Sequence, residues 1–333
     1  MTMNYDSAAI FARGVAVPPP GDPSTFAALS SEIRELAARE DAVILAHSYE
    51  RPEIQDVADY VGDSLALSRA AAGASQSTIV FAGVSFMAET AKVLSPSKRV
   101  LLPDINAGCS LADSINAEQL IAWKAQHRGA VVVSYVNTTA AVKAESDYCC
   151  TSGNARAVVE AVPADKEILF LPDMFLGLWL QRVTGRKLHI WLGECHVHAG
   201  IRAADIEAIR ATEPGAELLI HPECGCTSQI VDAAGEGPDV HILSTEGMVA
   251  YARKSSADRF LIATETGILH RLDKLAPGKR FIPVNREAVC PYMKLTTLEK
   301  LRDSLTYGRY EIEVPPEVAA RARLALERMI AIG

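Results

Sequence analysis

One series of landmarks recurs three times along this 333-residue chain with a period near 90, and that repetition constrains the fold more than any other feature. A β-branched or aliphatic run ends at His47, Tyr135 and His221, at steps of 88 and 86 residues. A helical pattern then opens near Ser64, Ser152 and Thr245, at steps of 88 and 93. A second apolar run centres on Phe81, Phe170 and Ile262, at steps of 89 and 92. A third run follows, and beyond it comes a cysteine each time: Cys109, Cys195 and Cys290, at steps of 86 and 95. Each period reads as a small β-α-β-α-β layer. Such a layer sets its polar residues at carboxyl ends of strands and amino ends of helices, where α/β proteins bind ligands. Three such units can face one another, each offering one cysteine.

The apolar runs are AVILAH (42–47), TIVFAG (78–83), RVLLPD (99–104), AVVVSY (130–135), EILFLPD (167–173), LHIWLG (188–193), ELLIHP (217–222), DVHILS (239–244), RFLIAT (259–264) and KRFIPV (279–284). Amphipathic stretches such as IQDVADYVGDSLALSRAAA and GNARAVVEAVP separate them. This alternation predicts α/β architecture with parallel sheets buried on both faces. Length alone suggests about two domains; the repeat replaces that with three units. We expect a first unit over 1–105, including a proline-rich N-terminal lead and completed by 278–333. A second is expected over 106–193 and a third over 194–277.

Thirty-three Lys and Arg against 41 Asp and Glu give a net charge of −8 and a pI near 5.6. That balance argues against a nucleic-acid binder or an anionic-membrane binder. No apolar run approaches the roughly 18 residues of a membrane span. The N-terminus lacks the basic n-region of a signal peptide. Seven widely spaced cysteines, without an export signal, suit a reducing, cytoplasmic setting with metal-binding or catalytic thiols better than a disulfide scaffold.

Three cysteines on equivalent positions could hold an iron–sulfur cube with one iron left open. Other pairings stand beside that one. His221, Cys224 and Cys226 could hold zinc, and Cys149–Cys150 could form a redox pair. The plainer reading makes these four cysteines small buried thiols.

The segments ILAHSYERPEIQDVADYVGDSL, AGCSLADS, SYVNTTAAVKAESDYCCTSGNA, GECHVHAGI, HPECGC, STEGM, TETGILHRL and CPYMK resemble, in order from about residue 42 to 295, the quinolinate synthase A family of NAD biosynthesis. The resemblance implies three pseudo-equivalent three-layer α/β/α domains around a central cavity. It implies a [4Fe-4S] cluster on Cys109, Cys195 and Cys290, and condensation of iminosuccinate with dihydroxyacetone phosphate to quinolinate, phosphate and water. An aspartate-oxidising enzyme would be the source of the imine. The family's substrate contacts fall on His47, Ser64, Tyr135, Asn137, Ser152, His221, Glu223, Ser244 and Thr245, and Tyr49 and His196 match further active-site positions. Some members carry CxxCxxC around the last ligand. Here Val284 and Glu287 stand at the upstream positions, so thiol–disulfide regulation through that motif is not expected.

Residue chemistry suggests roles within that frame. Ser64, Ser152 and Thr245, read as helix starts, would offer hydroxyls and N–H groups to anions. Glu223 is the candidate acid or base, with a pKa expected to rise in a closed cavity. Tyr49 would donate or relay a proton, and Tyr135 and Asn137 would orient a carboxylate. His196, directly after a cysteine, would contact substrate or support the cluster. Asp56, Asp59 and Asp63 read as a helix surface, and Lys254 and Arg271 are not assigned to the site. Three rival functions are a different hydro-lyase using the same cluster, a non-catalytic iron–sulfur redox sensor, and a zinc thiolate enzyme built on His221, Cys224 and Cys226.

Overall fold

The computed structural model describes residues 16–227, 237 and 239–332; most of the N-terminal lead lies outside the described residues. Twelve described strands form three four-stranded sheets, all parallel within themselves. The first contains β1 (Ala42–His47), β2 (Tyr60–Gly62), β3 (Thr78–Ala82) and β4 (Arg99–Leu101), in the order β2-β1-β3-β4. The second, β5 (Val131–Tyr135), β6 (Tyr148–Cys150), β7 (Ile168–Leu171) and β8 (Leu188–Ile190), has the order β6-β5-β7-β8. The third, β9 (Glu217–Ile220), β10 (Val240–Ile242), β11 (Arg259–Ala263) and β12 (Arg280–Pro283), has the order β10-β9-β11-β12. All ten apolar runs are strands. The two extra strands, β2 (YVG) and β6 (YCC), are three residues each and lie in no aliphatic run of the kind that marks the other ten.

Alternation along each strand divides the core. Val43, Leu45, Ile79 and Phe81 join Val133, Ile168, Phe170, Leu219, Phe260 and Ile262 in one apolar cluster shared by all three sheets. The residues between them go to three separate clusters: Ile44, Ala46 and Val80; Val132, Leu169 and Leu171; Leu218, Ile220 and Leu261. Each sheet therefore has one face in the common core and one face in a core of its own, which is why its strands are apolar at nearly every position.

The helices of the first unit are α1 (Pro23–Arg39), α2 (Pro52–Val57), α3 (Ser64–Gly73) and α4 (Ser85–Leu94). The amphipathic stretch over 54–72 is divided between two helices. Ala58 turns to extended backbone after α2, β2 intervenes, and Asp63 starts α3 by accepting from the N–H groups of Leu65 and Ala66. The second unit carries α5 (Ala117–Gln126), α6 (Ala140–Ala144), α7 (Ala155–Ala161) and α8 (Met174–Thr184). Then come α9 (His196–Ala199), α10 (Ala203–Thr212), α11 (Thr245–Lys254) and α12 (Ile268–Leu275), followed by α13 (Leu298–Tyr307) and α14 (Pro316–Ala331).

The expected boundary at 277 is corrected. β12 pairs in parallel with β11 from Arg259↔Arg280 to Ile262↔Pro283, so the third unit continues past it. α13 shares an apolar cluster with α1, and Tyr310 and Leu102 exchange backbone hydrogen bonds at the edge of β4. α14 also reaches the second unit, where Asn154 Nδ2 donates to the carbonyls of Met329 and Ile332. Among the described residues no helix is long and apolar enough to cross a membrane.

Candidate active site

The carboxyl ends of the three sheets converge on one cavity. It is lined by His47, Tyr49 and Ser64 from the first unit, Tyr135, Asn137 and Ser152 from the second, and His221, Glu223 and Thr245 from the third. Cys109, Cys195 and Cys290 complete it. The chain turns directly after each first strand and brings residues two apart to the cavity together: His47 with Tyr49, Tyr135 with Asn137, His221 with Glu223. Three buried polar atoms in the cavity, Asn137 Oδ1, His221 Nδ1 and Glu223 Oε1, have no hydrogen-bond partner among the described residues. Such convergence of unsatisfied groups marks a place where a ligand completes the bonding.

The three cysteines sit on equivalent helical turns. Each carbonyl accepts from the N–H four residues on, at Asp113, Ala199 and Lys294. Burial pushes each thiol up, Cys109 to about 12, Cys290 to about 11 and Cys195 well above its ordinary range. In each case the N–H of the residue three on (Ala112, His198 or Met293) pulls the other way. The sulfurs also raise one another: Cys290 acts on Cys109, and both act on Cys195. Three half-buried thiols whose thiolate forms would repel one another, with N–H groups aimed at them, suit a cationic centre that binds the thiolates. The other four behave differently. Cys149 and Cys150 are buried in β6, and Cys224 and Cys226 sit in the third unit's own core with Cys224 Sγ donating to the Ala263 carbonyl. Among the described residues His221, Cys224 and Cys226 do not gather into a metal-binding group.

A hydrogen-bonded chain crosses the cavity wall. Glu223 Oε2 lies 2.9 Å from His198 Nδ1, His198 Nε2 lies 2.8 Å from Thr264 Oγ1, and Thr264 Oγ1 lies 2.6 Å from Tyr49 Oη. Tyr49 Oη continues to Thr245 Oγ1 at 2.9 Å. Burial pushes the Glu223 carboxyl up, but the charge and hydrogen bond of His198, with His221 and the nearby Tyr135 hydroxyl, outweigh it and hold the group well below its ordinary value. Glu223 is thus a carboxylate in the resting site, against the expectation of a raised pKa. Tyr49 is a neutral phenol, because burial raises its pKa far more than its two threonine partners lower it.

The structure moves several expected residues. His196 does not line the cavity; its Nδ1 lies 2.8 Å from Ser110 Oγ and its ring meets the Tyr292 ring edge-on. His198 takes the inward position, because Cys195 is the N-cap of α9 and a residue three on returns to the same face, with Nδ1 at 3.3 Å from Cys195 Sγ. Ser152 starts no helix: it lies in the turn before α7, with Oγ at 3.1 Å from His221 Nε2. Ser244 caps α11 by accepting from Gly247 N–H and faces an outer groove with Arg156 and Trp179. Asp63 is a buried cap lining the cavity, not a helix-surface residue, and it occupies the N–H groups of Leu65 and Ala66. Ser64 therefore offers its own hydroxyl, with those two amides already used.

Thr264 and Glu265 join the site without a sequence-based expectation. Three residues past the landmarks Phe81, Phe170 and Ile262 stand Val84, Asp173 and Glu265, so the repeat itself held the signal. Glu265 accepts from Cys290 N–H at 3.0 Å and pairs with Lys294 at 3.0 Å, while Lys294 also donates to the Tyr49 carbonyl. Gly267 is required beside them, since a Cβ there would lie 2.7 Å from the Tyr49 carbonyl. Among the described residues no Lys or Arg lines the cavity. Arg271, although unassigned from sequence, donates to Ser48 Oγ and to Glu246.

The family model described as quinolinate synthetase A protein matches residues 31–331. The chain belongs to that family. It is 57% identical over 306 residues to a quinolinate synthase of Thermus thermophilus, covering 92% of this chain and 98% of that one. It is also 57% identical over 309 residues to the quinolinate synthase of a Mycobacterium species (strain KMS), covering 91% and 92%. Against the enzyme of Mycobacterium tuberculosis (strain H37Ra) the identity is 56% over 309 residues, covering 91% and 88%. In this family member, nearly the whole length of the relatives is present.

Proposed function

We propose that this chain is a quinolinate synthase that condenses iminosuccinate with dihydroxyacetone phosphate, releasing phosphate and water. The observation that carries the reading is the meeting of three thiols, one per unit, with strand-end acid–base groups in a single cavity. Cys109, Cys195 and Cys290 would hold a [4Fe-4S] cluster. When bound, it supplies a Lewis-acidic iron with an open position for a substrate oxygen.

The protein groups divide the remaining work. Asn137, Ser64, Ser152 and His47 supply neutral donors for the carboxylates and phosphate, where a lysine or arginine would have been the commoner choice. Glu223, already ionised, takes the proton that must leave carbon during enolisation, and His198 stabilises the carboxylate between turnovers. Tyr49, a neutral phenol, donates toward a departing or developing oxygen and is reprotonated through Thr264 and His198. Tyr135 orients Glu223. Seven free thiols support a reducing, cytoplasmic setting, with an aspartate-oxidising enzyme supplying the short-lived imine.

The test is anaerobic. Protein purified without oxygen is expected to carry about four irons and four sulfides and to form quinolinate from the two substrates, and Cys109→Ala is expected to lose both. Full activity in Cys109→Ala, or dehydration of a hydroxy acid without any quinolinate, would overturn the reading.

A further inference from the structure

We propose that the second unit carries a separate site for a borderline divalent cation, best fitted to Zn2+, built from His127, Glu167 and His189. His127 caps the C-terminus of α5, Glu167 immediately precedes β7, and His189 is the middle residue of β8. His127 Nδ1 and His189 Nε2 each lie 3.7 Å from the same carboxylate oxygen, Glu167 Oε2, and the three ligand atoms lie within 4.8 Å of one another. At 3.7 Å these contacts are too long for hydrogen bonds. They are close to the edge of about 3.4 Å that separates two ligands on a tetrahedral metal with bonds of roughly 2.0–2.1 Å. Shortening both contacts by a few tenths of an ångström, and drawing together the two imidazole nitrogens that lie within 4.8 Å of each other, closes the site.

The donor set points to the ion class. Two imidazoles and one carboxylate favour Zn2+, Ni2+ or Cu2+ over the oxygen-seeking Mg2+ and Ca2+. The imidazole planes are 4.2 Å apart between centroids and tilted by 46°, so both rings reach one point from different elements. Glu167 is 62% exposed, which leaves a fourth position open to water. The carbonyl end of α5 adds a favourable dipole for a cation. None of the three residues lines the central cavity. Glu167 marks the amino end of β7, and the catalytic groups gather at the carboxyl ends of the strands. Occupancy would tie α5 to β7 and β8 and stiffen the second unit without touching the chemistry.

Two of the chain's three tryptophans report on the site: Trp123 lies 6.2 Å from His127 and 5.5 Å from Trp191, ring centre to ring centre. Tag-free holoenzyme titrated anaerobically with Zn2+ in a calorimeter is expected to take up one equivalent, and Ni2+ to quench its fluorescence with the same stoichiometry. Saturation should raise Tm by about 2–4 °C. The pair His127→Ala with His189→Ala should abolish uptake and quenching while quinolinate formation stays unchanged. Glu167→Gln keeps both rings and should weaken Zn2+ by about tenfold or more, so a folding defect in the double variant leaves the proposal exposed to test. Equal Zn2+ uptake by wild type and both variants would assign the metal to the thiols and overturn the proposal. So would no uptake by wild type below about 100 μM Zn2+, an affinity of about −5.5 kcal/mol.

Discussion

Mild acid should destabilise this protein by an amount that two histidines set. His47 and His221 are buried, and burial, joined for His47 by the charges of Lys294 and Arg271, pushes each from 6.5 to about 3. The geometry agrees for His47, whose Nδ1 accepts from Tyr49 N–H at 3.1 Å and so carries no proton. The unfolded chain titrates both near 6.5, so neither affects stability well above that pH. Below it the unfolded state takes up protons that the folded state refuses, and stability falls steadily as pH drops from 6.5 toward 3. Each histidine then costs about 1.4 kcal/mol per pH unit. Between pH 7.5 and 5.5 the pair should remove about 3 kcal/mol. Glu223 acts in a different window, because a depressed carboxylate loses its contribution only below its ordinary value of 4.5. The assay is urea unfolding of anaerobic protein at about pH 7.5, 6.5 and 5.5, with His47→Gln and His221→Gln alongside. Each variant should escape about half of the wild-type acid loss. Identical losses in wild type and variants would falsify the claim that these rings are held neutral.

Two substitutions probe the relay directly. Glu223→Gln should lower kcat by about 10²- to 10⁴-fold with iron content unchanged, measured as quinolinate formed per minute against iron per chain. Thr264→Val keeps the shape and removes the hydroxyl between His198 and Tyr49; kcat should fall by about ten- to a hundredfold, with the unfolding midpoint close to wild type.

Much of this architecture was legible in the chain because the repeat and the strand period act together. A strand end recognised once, at His47, gives its partners at Tyr135 and His221, and the family resemblance adds Tyr49, Asn137 and Glu223, two residues past each. What escaped depends on geometry that the apolar pattern does not encode. His196 and His198 differ only in which way a short helical turn faces, and sequence proximity to Cys195 favours the wrong one. Ser152 and Ser64 share a repeat position, yet Ser64 enters α3 at once while Ser152 waits in a turn until Asn154. Thr264 and Glu265 follow a strand whose counterpart in the first unit is followed by Gly83 and Val84, residues with no chemistry to draw the eye. The boundary at 277 failed because a strand's sheet is chosen by its pairing partner, which lies outside its own residues.

The placement of one cysteine on each unit has a mechanical meaning. Three points locate a rigid object without redundancy, as the legs of a tripod stand level on any floor. A group held by Cys109, Cys195 and Cys290 would be anchored to all three units at once, so a rotation of any one unit would move one of its three supports. The same economy removes any margin: no unit can take over another's support, so damage to the separate core of any one sheet, far from the cavity, is felt at the centre.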